Sequence, residues 1–259
     1  MQNVALNLGI QPGNLNYTRF IILGRSRSGS NFLRGLLNSH SQITVYGEIF
    51  QNQQSIGWAL PGYRQSRTLM QQFHQEPVRF IETKVFHKFP SQIKAVGFKI
   101  FYYHAQDGNW GAVWEYLKDD QSIRVLHIKR RNILKTHLSR VRALQSDHWV
   151  NVTGSNEVIQ PVVLDYEDCL QDFNRTREWE IESDRLFATH PMLEIYYEDL
   201  AKDYQAIMYQ VEELLGVAHE KLTPETFQQS SQPLSQSISN YADLKVRFQG
   251  TAWEEFFTE

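Results

Sequence analysis

The stretch Arg25-Ser26-Arg27-Ser28-Gly29-Ser30-Asn31 separates the apolar run Phe20-Ile21-Ile22-Leu23-Gly24 from Phe32-Leu33-Arg34-Gly35-Leu36-Leu37. Farther on, Lys129-Arg130-Arg131-Asn132 closes a second apolar run, and Ser139 follows eight residues after Arg131. Each stretch reads as a strand, a short polar turn and a helix. In that layout successive backbone N–H groups and the positive end of the helix converge on one anion. The chemistry expected at both turns is recognition of phosphate groups.

The first turn is informative through its departures. Gly24 and Gly29 have the spacing of the glycines in GxxxxGK[ST], but Ser30 and Asn31 stand where the lysine and the magnesium-binding hydroxyl belong. Arg25 and Arg27 return the missing charge from inside the loop. A guanidinium grips anionic oxygens through a planar fork and stays protonated, so two of them neutralise a diester-like phosphate without a metal. At the second turn a nucleotide hydrolase commonly carries an aspartate that orients magnesium. Three cations stand there instead. Arg131 forking onto oxygens, with Ser139 donating from along the helix, suits a second phosphate, whereas Lys129 and Arg130 read as a solvated basic turn. A nucleotide phosphorylated at two separate positions fits both sites.

The elements that must hold these turns alternate in type. Apolar runs at 19–24, 43–46, 95–101, 123–129 and 192–197 read as strands buried on both faces. Helical stretches lie at 31–38, 110–117, 132–144, 164–188 and 204–215. The alternation predicts an α/β fold, a P-loop-like three-layer sandwich whose mostly parallel sheet is flanked by helices, with the ligand beyond the carboxyl ends of the strands. Residues 1–259 are expected to form one domain. The segment 51–90, glutamine-rich and carrying Trp58, Tyr63, Phe73 and Phe86, is expected to be a lid, an acceptor pocket or a packing unit, and the polar stretch 145–161 a flap or a loop.

Composition sets the outer limits. A chain of 259 residues, 41% hydrophobic and 13% aromatic, can bury a large core. Its net charge of -3 argues against general nucleic-acid binding, which rests on many basic contacts. Cys169, the single cysteine, excludes an internal disulfide and a cysteine-built zinc site. No basic-then-apolar leader is visible over 1–17, and no window reaches the ~20 apolar residues of a membrane span. A soluble, cytoplasmic protein is expected, of unspecified oligomeric state.

The residues resemble a known family. Arg27-Ser28-Gly29-Ser30 is similar to the Lys/Arg-Ser-Gly-Thr/Ser core of the 5′-phosphosulfate loop in sulfotransferases that use 3′-phosphoadenosine-5′-phosphosulfate. Arg131 and Ser139 match the spacing of the pair that holds the donor's 3′-phosphate there. Tyr197-Glu198-Asp199-Leu200, with the helix running to Leu214-Leu215-Gly216-Val217, resembles a scaffold segment of the family. The tail from Ile238 through Gly250-Thr251-Ala252-Trp253 resembles the ending of its bacterial carbohydrate and small-molecule members. The chain departs from the pattern at Arg27, where lysine is commoner, and in lacking an Arg-Lys-Gly loop near the end, for which Arg247 is a partial substitute.

The resemblance implies a donor held by Arg25, Arg27, Ser28, Gly29, Ser30 and Asn31 at the phosphosulfate and by Arg131 and Ser139 at the 3′-phosphate, without a metal. Arg27 would also stabilise charge on the leaving oxygen. The acceptor would be a hydroxyl of a sugar, a glycolipid or a small molecule, and a base must take its proton. Glu48, which follows the second strand in Gly47-Glu48, resembles the family's Gly-Glu position and is the first candidate. His104, just past the third strand, is the second. Lys99 points toward the acceptor or the leaving group, or is simply solvated, and His40 stabilises a helix end. A small-molecule kinase with a divergent phosphate loop and a non-catalytic nucleotide-binding protein are the competing readings.

Overall fold

A computed structural model of the chain describes residues 13–63, 65–146, 160–224 and 232–258. Among these, the strands are β1 (Gly13–Asn14), β2 (Thr18–Gly24), β3 (Ile43–Glu48), β4 (Phe89–Pro90), β5 (Ala95–Phe101), β6 (Arg124–Lys129) and β7 (Met192–Tyr196). The α-helices are α1 (Ser30–Ser39), α2 (Arg67–Gln75), α3 (Pro77–Phe80), α4 (Gly111–Asp119), α5 (Ile133–Ser146), α6 (Tyr166–Leu186), α7 (Tyr197–Lys202), α8 (Tyr204–Leu215), α9 (Leu234–Ser237) and α10 (Tyr241–Phe248). The five apolar runs read as strands are all present, within a few residues of their expected ends. They form one sheet in the order β3-β5-β2-β6-β7, and every neighbouring pair is parallel.

Apolar residues occupy both faces of these strands because helices cover both faces. Alternation sends Ile21 and Leu23 of β2 to one side and Phe20 and Ile22 to the other. On the second side, Leu33, Leu36 and Leu37 of α1 join Met208, Val211 and Leu215 of α8. A separate cluster links α5 and α6 to the C-terminal helices through Leu134, Phe173, Leu244 and Phe248.

Segment 51–90 belongs to the first side. Its Trp58, Phe73, Phe80 and Phe86 are buried with Ile21, Phe98 and Ile100. Trp58 and Tyr63, expected among other possibilities to offer an acceptor surface, stack on each other at 4.7 Å and pack against Tyr46 at 5.1 and 5.2 Å. The physical reason is topological: β3 is an edge strand, and its apolar face needs cover that this segment supplies. The stretch 145–161 lies almost wholly outside the described residues. No described helix is long and apolar enough to cross a membrane.

The strand order creates the site. The chain leaves β2 through α1 to reach β3 on one side of the sheet, and later adds β6 on the other side of β2. Such a reversal opens a crevice at the carboxyl ends of the strands. The loop after β2, the end of β3, the end of β5 and the turn after β6 all meet there.

Candidate active site

The loop after β2 has the backbone of an anion nest. Arg27 and Gly29 are left-handed, with φ of 67° and 92°, and Ser28 between them is not. Such alternation turns successive N–H groups inward. Gly29 is also the N-cap of α1 and offers no side-chain hydrogen bond, and the first turn of α1 holds no acidic residue. Neither a capping side chain nor a first-turn carboxylate therefore competes for the N-terminal N–H groups. A Cβ on Gly29 would collide with the Tyr197 ring, so glycine is required by space as well as by φ. Ser28 Oγ donates to the Arg25 carbonyl at 2.8 Å, and the Ser26 N–H donates to Tyr103 Oη at 3.1 Å, fixing both ends of the turn.

The cations around this nest divide into those turned to it and those engaged elsewhere. Arg27 Nε donates to Ser139 Oγ at 2.9 Å, bringing together residues expected at two different phosphates. Burial, and then the nearby Arg130, push the Arg27 guanidinium below its ordinary pKa. Arg130 is not the solvated residue expected from sequence. Its guanidinium is mostly buried, lies 4.7 Å over the Tyr197 ring, and donates from Nη1 to the Arg27 carbonyl at 3.2 Å.

Arg25 departs from its expected role. Its Nη1 and Nη2 lie 3.2 and 3.1 Å from the Asp172 carboxylate, and Nη1 also donates to Thr176 Oγ1. Asp172 further receives His137 at 3.2 Å and Arg140 at 2.7 Å. Burial opposes its charge, yet His137, Arg25 and Arg140 together hold the carboxyl down at about 2. A buried guanidinium needs such a partner, and Asp172 on α6 provides it. The Arg25 side chain thereby joins the loop to α6 and does not face the nest.

The turn after β6 also meets carboxylates. Arg131 is half exposed and bidentate on Asp199 at 2.7 and 2.6 Å, and its ring-facing side covers Tyr196 at 4.3 Å. Glu198 accepts from the Arg131 and Asn132 N–H groups at 3.1 and 3.4 Å, filling the position at the start of α5 that the sequence suggested for an anion. Lys129, expected to be solvated, is buried between Asp184 and Glu194. Arg247 lies 3.8 Å over the Tyr166 ring and lines a cavity of about 1260 Å³ with Arg140 and Trp179. His40 is the C-cap of α1 through its backbone N–H to the Leu37 carbonyl, and its side chain turns away, pairing Nε2 with the Ala218 carbonyl beyond α8 at 2.7 Å.

The two candidate bases are neighbours. A bulge between Tyr46 and Glu48 moves Glu48 onto the α1 face of the sheet, in register with Lys99 of β5. Gly47 occupies the bulge because segment 57–59 passes too close for a Cβ, with its N–H donating to the Trp58 carbonyl at 2.8 Å. Lys99 Nζ then donates to Glu48 Oε1 at 3.0 Å and to Asn31 Oδ1, in the first turn of α1, at 2.6 Å. Burial pushes the Lys99 ammonium down, and Glu48 opposes that shift. His104 Nε2 stands 4.0 Å from Glu48 Oε2. Burial pushes this imidazole down to about 4, again opposed by Glu48.

Sequence reasoning placed the loop and Glu48 at one sheet edge, and they are there. It underweighted Lys99 and Arg130, and treated Tyr197, Glu198 and Asp199 only as scaffold. One signal was available: a lysine inside the otherwise apolar strand Ala95-Val96-Gly97-Phe98-Lys99-Ile100-Phe101 is buried with a partner or functional.

The fold that carries this site is the sulfotransferase fold. The protein superposes on the crystal structure of a sulfotransferase from Alicyclobacillus acidocaldarius with a TM-score of 0.51 and 12% identity, covering 90% of this chain and 91% of the other. In sequence, the chain is similar to nodulation protein H of Rhizobium tropici, 26% identical over 246 residues and 92% of either chain. Nodulation protein H of Rhizobium meliloti strain 1021 is 24% identical over 245 residues, 92% of this chain and 94% of the relative. No profile of a known protein family matches the chain. The α/β fold and the sulfotransferase resemblance read from the motifs are borne out by these likenesses.

Proposed function

We propose that the protein is a sulfotransferase that moves a sulfuryl group from 3′-phosphoadenosine-5′-phosphosulfate to a hydroxyl of a carbohydrate, glycolipid or small-molecule acceptor. The observation that carries this reading is the Glu48–Lys99–Asn31 chain of hydrogen bonds, which couples a carboxylate directly to the first turn of the phosphate helix. Residues 1–259 are read as one sulfotransferase domain, acting in the cytoplasm.

The residues fit the donor. A left-handed nest, uncapped α1 N–H groups and the Arg27 guanidinium suit a phosphosulfate held by Arg27, Ser28, Gly29, Ser30 and Asn31. Arg25 serves this site through its backbone only. Arg131 and Ser139 take the 3′-phosphate, which replaces Asp199 on the Arg131 fork. The bound donor supplies the activated sulfur–oxygen bond.

Glu48 takes the acceptor proton through Oε2, since Oε1 is committed to Lys99. The new acceptor oxygen–sulfur bond forms as the bond from sulfur to the phosphate oxygen breaks, and Arg27 and Lys99 offset the charge left on that oxygen. His104 suits a different part. Its Nδ1 accepts the Phe101 N–H at 3.2 Å, so in the neutral ring the proton sits on Nε2, facing Glu48. A ring with its only lone pair occupied orients the carboxylate and is not the base.

Calorimetry with adenosine 3′,5′-bisphosphate and with ATP, both in a chelator, tests the donor. Binding of the bisphosphate alone is expected; binding of ATP only with magnesium moves the protein to the kinase reading. Glu48→Gln is expected to keep donor binding and lose about 10²- to 10³-fold in turnover. Donor binding without transfer to any hydroxyl acceptor would leave a non-catalytic nucleotide-binding protein.

A further inference from the structure

We propose that Arg130 is a positioning residue of the donor loop: together with Tyr197 it clamps Arg27 and Gly29 in the left-handed backbone that turns the loop N–H groups toward the phosphosulfate. The inference rests on the donor reading above, and deepens it by assigning a residue that the motif Arg131/Ser139 leaves out.

Three contacts carry it. From the end of β6, Arg130 Nη1 donates to the carbonyl of Arg27, the first left-handed residue of the nest. The same guanidinium lies 4.7 Å over the Tyr197 ring, and that ring fills the space where a Cβ of Gly29, the second left-handed residue, would stand. Both strained positions of the loop are therefore held by one stacked pair whose members directly follow two neighbouring parallel strands, β6 and β7. A non-glycine residue such as Arg27 stays left-handed only when its surroundings impose that conformation, and the Arg130 bond is imposed on its carbonyl.

A further observation concerns the charge. Arg130 Nε is buried with no hydrogen-bond partner among the described residues, and Glu198 Oε1 stands 3.8 Å from it. Arg131, its neighbour, has a full bidentate carboxylate, so the turn does not lack acceptors in general. Arg130 thus keeps an unbonded Nε–H, and its charge disfavours that of the neighbouring Arg27, a repulsion that an anion in the nest would offset.

The test uses Arg130→Gln, with Arg130→Lys and Tyr197→Leu beside it, in the full chain. Adenosine 3′,5′-bisphosphate binding is measured by calorimetry, and steady-state kinetics separate donor KM from kcat. Arg130→Gln is expected to weaken bisphosphate binding and raise donor KM by about tenfold or more, the loss of a charge-assisted contact, with kcat at saturating donor changed by much less. Arg130→Lys should restore part of the affinity, and Tyr197→Leu, which leaves every cation in place, should weaken it as well. Should Arg130→Gln not fold, Tyr197→Leu decides. Wild-type affinity in the folded variants overturns the inference. If the wild-type protein binds no adenosine 3′,5′-bisphosphate, the donor reading fails by itself; inorganic pyrophosphate then replaces the nucleotide as probe, and equal binding by wild type and Arg130→Gln overturns the clamp.

Discussion

Arg27 Nε donates to Ser139 Oγ across 2.9 Å, so the loop after β2 and helix α5 are joined by a side-chain bond. In the proposed reaction Ser139 would orient the guanidinium set against the leaving group and also meet the second phosphate. Ser139→Ala is expected to weaken donor binding about 10- to 100-fold, in keeping with ~1.5–3 kcal/mol for a hydrogen bond to a charged group. Ser139→Thr, which keeps the hydroxyl, should lose much less. Donor titration of the two variants checks this; equal affinities would remove the serine from the site.

Asp199 occupies the Arg131 fork that we propose for the donor's 3′-phosphate. The pair is largely exposed, so its loss costs the folded protein little. Asp199→Asn should tighten binding of adenosine 3′,5′-bisphosphate by about two- to fivefold, the equivalent of ~0.5–1 kcal/mol. Adenosine 5′-phosphosulfate, which has no 3′-phosphate, should show no gain. A gain for both nucleotides would place the effect elsewhere.

Gly29→Ala meets two obstacles, a φ of 92° and the Tyr197 ring. The backbone term alone costs about 1–2 kcal/mol, and the displaced ring adds to it. A lower thermal midpoint and loss of donor binding are expected together. Full stability with intact binding would contradict the close approach of Tyr197.

Stability should fall with acid before the carboxylates titrate. An unfolded His104 takes up its proton near pH 6.5, whereas the buried imidazole resists it down to about 4. The unfolded chain therefore binds more protons in that window, and stability is lost as pH drops from about 6.5 toward 4. His87 and His127, both also lowered chiefly by burial, act in the same direction. Asp172, held at about 2 in the fold against 3.8, extends the loss below pH 4. Urea midpoints between pH 7 and 4.5 measure the slope, and His104→Gln should flatten it; an unchanged slope would show that the ring is not kept neutral.

The frame was readable because its signals are local. Strands buried on both faces are continuous apolar runs, and the loop between Gly24 and Asn31 interrupts one of them with small and cationic residues. The pairing of charges was not readable. Arg25 finds Asp172 and Arg131 finds Asp199 across long stretches of chain, and no spacing rule links such positions. The sequence therefore favoured Arg131 over Arg130, although the fold buries the second and leaves the first half exposed. Trp58 and Tyr63 were ambiguous for a related reason: an aromatic side chain suits a core and a binding surface equally until the edge strand beside it is known.

The insertion of β5 between β2 and β3 has a metric consequence. Adjacent strands are spaced at about 4.8 Å, so the tip of β3 stands about 10 Å from the tip of β2. Backbone ladders act as a caliper, and the opening between the loop after β2 and the Glu48 carboxylate is set by two rungs of the sheet. Loops around the crevice can lengthen, shorten or change their chemistry to admit different alcohols while that gauge stays constant. Variation in acceptor should accordingly be sought in the surrounding loops, and constancy of the transfer step in the order of the strands.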